Sequence, residues 1–178
     1  MSPKFSENQR TLKLAKPLFA LSVLLHLCGC RSDNSWAFSR IDSQETQFNS
    51  TKLTFASQDP IHGIDLELVS INQQLHLYLN VHSVPIPSLK TDPQYAAVRI
   101  TIGTQESQLF EALRREGGQR LLLPETAMHL IIDSLKNHIP VHIAIHGYQT
   151  SIEPTGFLKY YQQMHKQPLF QNPFHLPI

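Results

Sequence analysis

The chain has 178 residues, with 15 Lys+Arg against 14 Asp+Glu, ten His and only two Cys, and a formal charge of +1. That length suits one domain with its own core, and the charge includes no basic block that would track a phosphate backbone, so nucleic acid is not an expected partner. No internal repeat, low-complexity tract or apolar run long enough to span a bilayer is visible.

The first element is a short export signal. Lys4, Arg10, Lys13 and Lys16, against Glu7 alone, precede the apolar run Leu18-Phe-Ala-Leu-Ser-Val-Leu-Leu-His-Leu27, the layout of a secretory signal. About ten residues make a helix of only about 15 Å, roughly half the hydrocarbon core of a bilayer, so the run does not read as a spanning helix.

At Leu27-Cys28-Gly29-Cys30 the sequence resembles the lipobox of bacterial lipoproteins. Leu27 occupies the aliphatic position, Gly29 the small residue before the cut, and Cys30 the lipidated cysteine; Cys28 stands where a small residue is more usual. The resemblance covers about thirty residues. It implies recognition of Leu27 and Gly29 by a signal peptidase, cleavage before Cys30, diacylglycerol on the Cys30 sulfur and acylation of the new amino terminus. Acylated Cys30 would make the lipid bilayer a partner, since two or three chains anchor stably where one does not. Arg31, rather than an acidic residue, follows the cysteine, which in a diderm envelope leans towards the outer membrane and its periplasmic face. The alternatives are a signal cut elsewhere or a buried apolar segment.

Removal of residues 1–29 leaves 149 residues with 11 Lys+Arg and 13 Asp+Glu, a formal charge of −2. Cys28 is lost and the Cys30 thiol blocked, so the exported domain has to be held by its core rather than by disulfides. Residues 30–60 are rich in Ser, Asp, Asn, Gln and Thr and read as a flexible membrane tether, with docking of Trp36 and Phe38 as the other possibility.

A globular domain is expected over residues 61–164. Ile64, Leu66 and Leu68 alternate with Asp65 and Glu67, and Leu75, Leu77, Leu79 and Val81 alternate with His76, Tyr78, Asn80 and His82. These are two half-buried strands, and the short Asn72-Gln73-Gln74 link makes them a hairpin. Pro85 and Pro87 break the pairing. Ala96, Val98, Ile100 and Ile102 give a third stripe. Residues 107–116 fit either a short helix or a strand; the strand is preferred because Gly117-Gly118 is a hairpin signal leading into Arg120–Leu123.

Met128, Ile131, Ile132 and Leu135 lie on one helical face, with Pro124 and Glu125 at its start and Lys136 and His138 at its end. Val141, Ile143 and Ile145 alternate with His142, Ala144 and His146 in a further strand, and Gly147 permits a turn or bulge before Tyr148–Ile152. Phe157, Tyr160, Tyr161 and Met164 give a second short helix. Residues 165–178 form a proline-containing C-terminal extension with Pro168, Pro173 and Pro177, expected to wrap the domain. The fold class is α+β, a mostly antiparallel β-meander packed against two short amphipathic helices. The outline of 96–164 also resembles small exported bacterial domains of unassigned role, which transfers no active site.

Nine histidines remain after export. Along a strand, His142 and His146 stand roughly 13 Å apart and His76 and His82 roughly 20 Å apart, too far for either pair to share a zinc ion. A metal site would need histidines from adjacent strands, with His129 or Asp133, one turn apart on the helix, as further donors. No Gly-x-Ser-x-Gly, His-Glu-x-x-His or phosphate loop is present, so no catalytic residue, metal ligand or cofactor beyond the acyl groups is assigned. The stripe His76, Tyr78, Asn80 and His82, with His142 and His146, suggests an open face for an envelope protein or polymer. The alternative is a histidine-based metal-dependent hydrolase or metal carrier.

Overall fold

The computed structural model describes residues 36–41, 49–82 and 84–166. Leu27, Gly29 and Cys30 lie outside the described residues, as do 167–178 of the C-terminal extension.

Alternating apolar and polar positions fold as expected into strands: β3 (Ile64–Ile71), β4 (Gln74–Val81), β5 (Tyr95–Ile102), β6 (Gln108–Arg114), β7 (Arg120–Leu122), β8 (Val141–Ile145) and β9 (Tyr148–Ile152). Within 107–116, residues Gln108–Arg114 thus take the preferred strand form, and Glu116–Gly118 make a 3-10 turn into β7. Two helices follow the apolar faces read from the sequence, α1 (Glu125–Lys136) and α2 (Phe157–His165). The domain is α+β, and every strand pairing is antiparallel.

Two strands stand where a tether was expected. β1 (Trp36–Ile41) pairs with β2 (Ser50–Phe55), and β2 pairs with β3. The polar composition of 31–60 conceals three core residues: Trp36, Leu53 and Phe55 are 2%, 0% and 0% exposed. Trp36 packs its ring 5.1 Å from Phe55 and 4.9 Å from Phe157 of α2, and its indole N–H donates to the Glu153 carbonyl at 2.9 Å. Burial of three large side chains offsets the ordering of a short hairpin, and Phe157 comes from more than a hundred residues downstream.

The described strands form one nine-stranded sheet in the order β1-β2-β3-β4-β7-β6-β5-β8-β9. The first four run as a meander. The chain then crosses, and β7 docks on β4 while β6 and β5 step away from it. β7 is short, yet it joins the two halves of the sheet.

Turn chemistry sets the hairpins. Asn72 and Gln73 both have positive φ, 50° and 66°, as a two-residue type I′ turn requires. His146 and Gly147, at 42° and 88°, make the corresponding turn between β8 and β9.

One face of the sheet is the core. Leu53, Leu68 and Leu77 lie in one cross-strand row, and Phe55, Leu66, Leu79 and Leu121 in another, all buried. Helix α1 buries Ala127, Met128, Ile131, Ile132, Ser134 and Leu135. Its end is a Schellman motif: His138 takes the left-handed position at φ 60°, the Ile139 N–H donates to the Ser134 carbonyl at 2.9 Å, and the His138 N–H donates to the Leu135 carbonyl at 3.2 Å. Among the described residues no helix is long and apolar enough to cross a membrane.

Candidate functional site

The outer face carries the polar residues of each alternating strand. Pairing places Thr54, Glu67, Tyr78, Leu122 and Leu113 in one row across β2, β3, β4, β7 and β6. Asp65, Asn80 and Arg120 form the adjacent row, and Lys52, Val69 and His76 the row on the other side.

Arg120 lies over Tyr78, its guanidinium carbon 4.2 Å from the ring centroid. Its Nη2 is 3.0 Å from Glu67 Oε2, but the angle is wrong for a hydrogen bond, so that contact is ionic. Lys52 Nζ donates to the other carboxylate oxygen at 3.2 Å. Glu67 is only 12% exposed and holds one cation on each oxygen. His76 stands 6.3 Å from Tyr78, ring to ring. Five side chains from four strands thus lie against one another, joined by packing and charge.

A cleft of about 480 Å³ opens beside this group, between the β3–β4 turn and the first turns of α1. Leu75, Leu122, Leu123 and Met128 supply its apolar surface, and Gln73, Gln74, His76, Glu125 and His129 its polar rim. His76 therefore belongs both to the outer face and to the cleft.

The six histidine-stripe candidates are not one surface. His76, Tyr78 and Asn80 lie on the outer face, and His82, one residue past β4, is engaged by Asp65 at the end of that face, Nε2 to Oδ2 3.0 Å. His142, on β8, pairs with Thr101 of β5 and stands four inter-strand steps from β4 in the sheet order, roughly 19 Å along a flat sheet. His146 sits in the β8–β9 turn on the rim of a separate hollow of about 250 Å³.

His129 and Asp133 do not meet. The His129 ring approaches Glu125 at 3.4 Å, and Asp133 faces Lys136 at 3.7 Å. Among the described residues no three His, Cys, Asp or Glu side chains converge to hold a metal ion.

Arg120 and Glu67 were not singled out by the sequence. Their alternation with Leu66, Leu68 and Leu121 marks them as outward-facing, but their meeting depends on β7 docking against β4, which no local pattern encodes. Comparison with protein-family models, with curated proteins and with solved structures found no match.

Proposed function

We propose that this protein is a lipid-anchored envelope lipoprotein whose folded domain recognises an envelope protein or polymer through the outer face of β4 and β7. The lipobox-like Leu27-Cys28-Gly29-Cys30 supports the anchor, and the single observation behind the recognition surface is the Tyr78–Arg120–Glu67 group. Tyrosine and arginine dominate the binding energy of many interfaces because they combine large contact area with directional polar groups. Here the Arg120 guanidinium is held in place by the Tyr78 ring and the Glu67 carboxylate, so little side-chain freedom is lost when a partner docks. The adjoining cleft offers an apolar floor at the edge of that polar group, within the size range of binding pockets.

A meander closed by two amphipathic helices suits such a role, since helices cover the inner face and leave the outer face open. The test is partner capture from intact envelopes by the full chain and by Tyr78→Ala, Arg120→Ala and His142→Ala variants, each assayed well below its own melting temperature. Loss of one captured species by about tenfold or more in the first two, with retention in the third, is expected; the free-energy equivalent is about 1.4 kcal/mol. Equal capture by all three variants overturns the reading.

A further inference from the structure

His82 follows β4 directly, at the end of the β3–β4 hairpin opposite its turn. Residues 56–63 cross that end as they pass from β2 to β3. Two contacts fasten them there: the Ser57 N–H donates to Asp65 Oδ1 at 2.7 Å, and the His82 N–H donates to the Gly63 carbonyl at 3.0 Å; the His82 imidazole Nε2 in turn meets the other Asp65 oxygen, Oδ2, at 3.0 Å. Within the segment, Asp59 Oδ1 accepts from the N–H groups of Ile61 and His62 at 2.8 and 2.9 Å. Packing is tight, since a Cβ on Gly63 would stand 2.1 Å from Ser57 Oγ. The far side of the segment reaches β9, where the His62 ring lies 6.1 Å from that of Tyr148.

The other imidazole nitrogen, His82 Nδ1, is enclosed and has no hydrogen-bond partner, and the backbone of Pro60 and Asp59 beside the ring adds to the preference for its protonated form.

We propose that His82 and Asp65 form a pH-sensitive latch that fastens residues 56–63 across the end of the β3–β4 hairpin and against β9. The titratable and charged groups around it are few. Asp65 on β3 contacts the ring directly; Asp59 and His62 lie in the fastened segment. Glu67, further along β3, is held by Lys52 and Arg120, and Arg120 on β7 is opposite Asn80 rather than His82. Tyr148 is the nearest such group on β9.

The Asp65 hydrogen bond raises the proton affinity of His82 above that of an ordinary imidazole, against an opposing effect of burial. The fastening therefore contributes fully below about pH 6.5, where the unfolded imidazole is already charged. It is lost as pH rises through the higher folded-state value.

The experiment uses the full chain in detergent micelles. The His82 ring is titrated by NMR, and amide exchange protection of Ser57, Ile61 and His62 is measured from pH 5.5 to 9. His82 is expected to titrate above an ordinary histidine, and Ser57 protection to fall about tenfold across that range for each unit by which the folded-state value exceeds the unfolded one. Protection in β5 and β8 should stay constant. His82→Gln should abolish the pH dependence, and Asp65→Asn should leave the segment loose throughout. A His82 ring titrating at or below the ordinary value, pH-independent protection of Ser57, or an unchanged fall in His82→Gln overturns the latch. The titration of the unsubstituted chain decides the matter even if a variant does not fold.

Discussion

At the scale of single residues, Arg120 stands out because it serves two neighbours at once. It covers the Tyr78 ring and faces Glu67, which is only 12% exposed. Arg120→Ala removes a cation–π contact and one of the two cations beside a largely enclosed carboxylate, so unfolding free energy should drop by about 1–2 kcal/mol in urea denaturation. Arg120→Lys should recover only part of this, because an ammonium has no planar face to stack on the ring. Trp36 gives the second residue-scale prediction. It is the only tryptophan in the chain and is 2% exposed. Its emission should be blue-shifted and shielded from acrylamide, whereas emission near that of free indole would show that residues 36–41 are not docked. Trp36→Phe removes the hydrogen bond to the Glu153 carbonyl and should cost about 1 kcal/mol from that bond alone.

At the scale of elements, most of the fold was legible because the informative signals are local. Period-two alternation marked β3, β4, β5 and β8. Spacings of three and four residues marked α1 and α2. The β1–β2 hairpin was hidden because Trp36, Leu53 and Phe55 are scattered among Ser, Asn, Gln and Thr, so average composition outweighed three buried positions. A chain beginning at residue 61 should therefore lose cooperative unfolding, exposing the β3 edge and the Phe157 pocket together; retention of the full-length melting temperature would mean the hairpin is dispensable. The end of α1 carries a smaller, opposite prediction. His138 takes a left-handed conformation that costs a residue with a side chain about 1–2 kcal/mol, partly offset in glycine by greater unfolded-chain entropy. His138→Gly should raise the melting temperature by roughly 1–4 °C, the equivalent of up to about 1 kcal/mol for a domain of this size.

At the scale of the whole molecule, the decisive event is the docking of β7 on β4. It joins the β1–β4 meander to the β5–β9 half and creates the only route by which Arg120 reaches Tyr78 and Glu67. Strand alternation identified the outer face of β4, but sequence distance says nothing about which strand lies beside it, so His142 and His146 were grouped with residues they do not approach. The same distance argument accounts for His82, whose partner Asp65 lies on the facing strand. No cysteine lies among the described residues, so packing, hydrogen bonds and ion pairs rather than a disulfide hold them together. The proposed anchor predicts an exported product that begins at Cys30 and carries an acyl mass increment, with Cys30→Ser abolishing both. Beyond attachment, the proposed recognition requires the β4–β7 face to meet a partner and the β8 face not to. A photo-reactive amino acid at position 80, opposite Arg120 on the outer face and outside the Tyr78–Arg120–Glu67 group, and separately at position 142, tests this most directly in otherwise intact cells. A discrete cross-linked adduct is expected from position 80, disappearing in an Arg120→Ala background, and none is expected from position 142. No adduct from position 80, or indistinguishable adducts from both positions, would overturn the proposed surface.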